Sequence, residues 1–192
     1  MEFKIEKRGH YNIQKYKGPD IDIAHNFAKK IHKEIKDIVK AIVLFGSSAR
    51  NEKTVYEKDI DILIIVDDLG TKISAELGEA YRIIVEKLVK QTSLRIHVTT
   101  IKFTNFWDYI RAGDPIGINM LRDGLPLYDE GFFEALQELL KQGRIRPTDE
   151  SVWTYFARAP ATITARRILF IESPFSVEKF FFINSARKTF HA

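Results

Sequence analysis

Val43-Leu44-Phe45-Gly46-Ser47-Ser48-Ala49-Arg50, then Lys58-Asp59-Ile60-Asp61-Ile62-Leu63-Ile64-Ile65-Val66, decide how this chain is read. The first run is apolar and stops at Gly-Ser, the pattern of a buried strand that closes on a tight turn. The second reads as another strand, opened by two acids one residue apart. Period-two geometry puts Asp59 and Asp61 on one face of that strand and turns Ile60 to the other. Two neighbouring carboxylates at the mouth of an apolar strand repel each other and are costly to bury unless a cation lies between them. A hard divalent ion such as Mg2+ suits the position, because it takes oxygen ligands and keeps places for phosphate oxygens. The Gly46-Ser47 turn supplies backbone N–H groups and a hydroxyl to the same phosphates.

Outward from these strands the pattern alternates. From Asp20, the residues Ile23, Phe27, Ile31, Ile35 and Ile38 form a helical stripe, with Asp20 or Asp22 as the cap. Ser74 to Gln91 repeats the helical pattern with Leu77, Tyr81, Ile84, Leu88 and Val89 inward. Ser93 to Ile101 reads as a third strand, with Leu94, Ile96 and Val98 on one face and Arg95, His97 and Thr99 on the other. A short edge strand is expected around Phe3-Lys4-Ile5. Beyond residue 103 the expectation is helical: 104–112, 115–122, 130–142 and 149–172, with Ser173-Pro174 as a break. The fold class is therefore α/β, a mixed sheet flanked by helices and followed by a helical region. The expected boundary is at Gly143 to Thr148, giving domains 1–146 and 147–192.

Bulk properties narrow the class. The 192 residues suffice for one core with a helical extension, and 45% hydrophobic content is that of a globular protein. No apolar run reaches the roughly 18 residues that span a bilayer, and no secretory signal follows Met1, so a cytoplasmic protein without membrane contact is expected. The absence of cysteine excludes disulfides and thiolate metal sites. A net charge of +4 is modest, and the basic residues alternate with acids along helices, as in Lys29-Lys30-Ile31-His32-Lys33-Glu34, which describes a solvated face rather than a nucleic-acid groove.

Gly-Ser followed by Asp-x-Asp, with Asp59 twelve positions after Ser47, resembles the signature of the polymerase-beta-like nucleotidyltransferase superfamily. The likeness is greatest to its minimal nucleotidyltransferase branch, whose Gly-Ser-x-Ala-Arg stands here as Gly46-Ser47-Ser48-Ala49-Arg50. It covers roughly residues 20 to 101. Arg111-Ala112-Gly113-Asp114-Pro115 and Leu121-Arg122-Asp123-Gly124-Leu125-Pro126-Leu127-Tyr128-Asp129 also look like archaeal members that continue into helices.

The resemblance implies an Mg2+-dependent transfer of a nucleoside monophosphate from an NTP, ATP first among them, through a one- or two-metal site. Asp59 and Asp61 are then the metal ligands, and Gly46, Ser47 and Arg50 hold phosphates. The family carries a third acid on the next strand, and this chain has His97 there. Three readings stay open: His97 serves as base or ligand, Glu57 or Asp68 supplies the acid, or the site is a catalytically silent binder of nucleotide or RNA. The implied acceptor is a protein partner, as in antitoxin-type enzymes, an RNA end or a small molecule. Arg187 and His191 lie too close together for the RNase motif of the HEPN proteins that often partner this branch. Phe170, Phe175, Phe180, Phe181, Phe182 and Phe190 suggest a homo-oligomer or a helical partner. Trp107 and Trp153 read as packing residues, and His25 and His32 as surface positions.

Overall fold

The computed structural model describes residues 10–46, 59–154 and 156–157. The chain divides into two units, Met1–Pro147 and Thr148–Ala192. Of the second, residues 149–154 and 156–157 are helical, with Trp153 and Phe156 edge to face at 6.0 Å and both exposed.

The first unit is a four-stranded sheet between two helical layers. In chain order it runs α1 (Gly18–Ile35), β1 (Val39–Phe45), β2 (Ile60–Val66), α2 (Ala75–Thr92), β3 (Ile96–Lys102), α3 (Phe103–Arg111), α4 (Pro115–Asp123), β4 (Leu125–Asp129) and α5 (Phe133–Lys141). The strand order is β3-β2-β1-β4. β1 is antiparallel to both neighbours, whereas β2 and β3 are parallel and joined through α2. The sheet is thus mixed, as the alternation of patterns implied.

Strand alternation sorts the core into two layers. Ile42, Leu44, Ile60, Ile62, Ile64 and Ile96 pack under α1 and α2, against Phe27, Ile31, Val85 and Leu88. Ala41, Val43, Leu63 and Ile65 face the other way, onto Phe106, Ile110, Leu121, Phe133 and Leu136 of α3, α4 and α5. Covered on both sides, β2 is buried at all seven positions, which is why it reads as a continuous apolar run.

Several expectations are corrected. Helix α1 starts with Pro19 in its first turn and Lys17 at its cap; Asp20 is inside that turn, buried and bonded to Arg95 at 2.9 Å. Leu94 lies ahead of β3 and is 80% exposed, since the chain is still turning there. Leu125–Asp129 is a strand, not a prelude to helix: Leu125 and Leu127 alternate into the core and Pro126 is tolerated because β4 is an edge. Trp107 and Trp153 are exposed, and His25 is buried. The Phe3–Ile5 strand and the phenylalanines from Phe170 onward, with Arg187 and His191, lie outside the described residues.

Candidate active site

The motif residues meet at one end of the sheet. Register places Asp61 between two partners, Phe45 on β1 and His97 on β3. Asp61 has the parity of Leu63 and Ile65, so its side chain emerges on the α3–α5 face; His97 on the parallel neighbour emerges beside it. Asp59, two residues earlier, follows on the same face, with Oδ1 4.0 Å from His97 Nε2. The three differ in environment: Asp61 is only 4% exposed, whereas the Asp59 and His97 side chains are about half exposed. One carboxylate is fixed in the wall of the site, and the other shares the open mouth with the imidazole.

Gly46 ends β1 directly against this wall. Its φ of 88° is in the left-handed region that favours glycine. A Cβ there would collide with the Asp61 carboxylate, coming within 2.9 Å of its Cγ. The missing side chain lets the turn close directly onto the Asp61 carboxylate, bringing its backbone beside the acids. Asp59 and Asp61 at this open mouth are the kind of hard oxygen ligands that Mg2+ takes, alongside water and phosphate. Among the described residues no group of three His, Cys, Asp or Glu assembles as a closed metal site. Ser47, Arg50 and Glu57 lie outside the described residues.

Asp68, one of the alternatives for the third acid, is at the other end of β2. β2 carries the chain about 17 Å from Asp61 to Val66, and Asp68 lies two residues beyond that end. There it accepts from the backbone N–H of Thr104 at 3.0 Å and from the Thr104 hydroxyl, capping α3. It takes no part at the Asp61 end.

The sequence did not single out the group that closes the β4 side of this end. Tyr16 is buried, and its hydroxyl lies 2.6 Å from the Asp123 carbonyl oxygen and 3.1 Å from that of Leu44, one residue before Phe45. Burial raises the Tyr16 pKa well above that of an ordinary phenol, with smaller contributions from the Asp123 and Asp61 carboxylates. Asp123 is held by Lys15 at 3.0 Å and Arg122 at 2.7 Å. The only linear hint was Leu121-Arg122-Asp123-Gly124, whose polar residues could equally be an exposed helix end.

No helix among the described residues is long and apolar enough to cross a membrane. Residues 26–113 match the family model for the nucleotidyltransferase domain. Over 83 residues, 39% of this chain and 83% of the relative, the sequence is 29% identical to MJ0141 of Methanocaldococcus jannaschii, whose name proposes protein adenylyltransferase activity. A solved structure of a mutant of the toxin–antitoxin pair MntA–HpeT aligns with 76% of this chain and 98% of its own, at 13% identity and a TM-score of 0.37. The matched segment runs from within α1 to the end of α3 and contains β1, β2 and β3 with their acids. Over residues 26–113, which hold β1, β2 and β3, this chain is similar to the nucleotidyltransferase domain.

Proposed function

We propose that this domain is an Mg2+-dependent adenylyltransferase that moves AMP from ATP to a hydroxyl of a protein partner. The observation that carries the reading is the buried Asp61, with the Gly46 turn packed against its carboxylate on one side, His97 on the other and Asp59 two residues before it. Preference for ATP and for a protein acceptor is supported by the name of the M. jannaschii relative.

Bound at Asp59 and Asp61, Mg2+ would offset charge on the phosphoryl oxygens and on the leaving group. The chain's own residues do the rest. The Gly46 turn, with Ser47 and Arg50, holds the phosphates and orients the α-phosphorus. The acceptor oxygen attacks that phosphorus while its proton passes to His97 Nε2. The bond from the α-phosphorus to the bridging oxygen breaks, and pyrophosphate leaves with the electron pair. The imidazolium is then stabilised by Asp59, 4.0 Å away. We assign residues 147–192 to partner recognition.

A second reading rests on His97 itself. An imidazole cannot supply the negative charge of a third acid, and a site so altered binds nucleotide, or RNA, without turning it over. Radiolabelled ATP with Mg2+ and cell lysate separates the two. Label on a protein, lost in Asp61→Asn, supports transfer. Absence of label on protein, RNA and small molecules, with ATP still bound in titration, supports the silent binder.

A further inference from the structure

We infer that Lys15 and Arg122, held together by Asp123, form an anion-binding rim that takes the terminal phosphates of the nucleoside triphosphate. The inference rests on the reading of the Asp61 end as a nucleotide site and adds to it a subsite outside the Gly-Ser and Asp-x-Asp signature.

The position follows from register. Leu44 pairs with Ile62 on one side and with Leu125 on the other, so the start of β4 lies two strand spacings from β2, about 10 Å. Asp123 and Gly124 immediately precede Leu125 and are at the same end of the sheet as Phe45, Gly46 and Asp61. Tyr16 ties them there, bridging the carbonyls of Leu44 and Asp123. A triphosphate whose α-phosphorus lies over Asp61 has its tail free to run past Gly46, toward this corner.

Charge makes the corner suitable. Two cations share one carboxylate: Lys15 Nζ is 3.0 Å and Arg122 Nη2 is 2.7 Å from Asp123 oxygens, which leaves one positive charge in excess. Against its partial burial, the largest influence, these cations hold the Asp123 carboxyl below the usual carboxylate range. Stability is a poor explanation for the arrangement. The Arg122 side chain is 52% exposed and that of Lys15 36%, and ion pairs this open contribute about 0–1 kcal/mol. Arg122 retains donors beyond those directed at Asp123, and its planar fork matches a phosphate. Asp59 and Asp61 carry negative charge on the β2 side of Gly46, so an anionic tail is driven to the β4 side.

The test compares ligands that differ only in the tail. A non-hydrolysable ATP analogue and AMP are titrated, each with Mg2+, into wild type, Arg122→Gln and Lys15→Gln/Arg122→Gln. The double variant is expected to lose roughly tenfold in affinity for the ATP analogue, the loss of about one charge-assisted contact, with AMP affinity unchanged. Equal losses for the two ligands, or none, overturn the inference. Lys15 Nζ also donates to the Arg122 carbonyl at 3.1 Å, so if the double variant melts early, Arg122→Gln alone carries the same comparison. Failure of the wild type to bind either ligand would instead refute the nucleotide reading, and this inference with it.

Discussion

At the scale of single residues, Gly46 has the least freedom to change. Its positive φ costs an L-residue about 1–2 kcal/mol, and any Cβ enters the space of the Asp61 carboxylate. Gly46→Ala is expected to fold with a small loss of stability but to lose nucleotidyl transfer by about a hundredfold, because a displacement on the ångström scale suffices for that. Paired measurements of melting temperature and single-turnover rate check this. His97 is the residue on which the chemistry divides. His97→Ala is expected to lower kcat by about 10²–10⁴ with ATP affinity unchanged, the usual contribution of a general base. Turnover gained in His97→Asp, from an inactive wild type, would favour the silent binder. Gly46 was legible from its place before the connector, and His97 from the family resemblance, which places an acid in its slot.

At the scale of elements, the decisive contacts are between segments far apart in sequence. Asp68 lies just beyond β2 yet caps α3 through Thr104. Asp68→Ala is therefore expected to cost about 1 kcal/mol in denaturant titration while leaving nucleotidyl transfer intact. A loss of transfer at normal stability would return Asp68 to the chemistry. The segment from His10 to Tyr16 is a second case. His10 Nδ1 accepts from the Asn12 N–H at 3.1 Å, so its Nε2 carries the proton and donates to Gln137 Oε1 at 3.0 Å. Gln137 in turn donates to the Leu121 and Gly124 carbonyls, and Asn12 donates to those of Arg122 and Gly124. Burial lowers the His10 pKa below 6.5, the Gln137 bond and Glu134 acting in the opposite sense. The folded state thus binds fewer protons at this site than the unfolded chain. His10 costs no stability above about pH 6.5, and its penalty builds as pH falls from there to its lowered folded value, below which it no longer grows. The pH dependence of the melting temperature should flatten over that window in His10→Gln.

For the whole first unit, the sheet separates two cores that share only β-strands. Phe27 fills the α1–α2 side and Phe106 the α3–α5 side, both fully buried. Each Phe→Ala change is expected to cost about 3–5 kcal/mol. The two costs should add to within about 0.5 kcal/mol, because the residues share no cavity across the buried strands. Denaturant titration of the single and double variants measures this; strong non-additivity would mean that the layers repack together.

What could be read from sequence was local or periodic. Two strands meeting at a glycine turn, paired acids on one face and helices with apolar stripes follow from backbone periods of 2 and 3.6, while the departure at His97 is what the family resemblance implies. The tertiary structure decided what depends on contacts distant in the chain. It put β4 beside β1, where Pro126 marks only an edge, and Asp68 at the end remote from Asp61. It sent Asp20 to Arg95 rather than to a cap. It also gathered Lys15, Tyr16, Arg122 and Asp123 at the Gly46 end, although more than a hundred positions separate the first pair from the second. Side-chain period tells a residue which face it occupies; only the closed sheet tells it which neighbours it meets there.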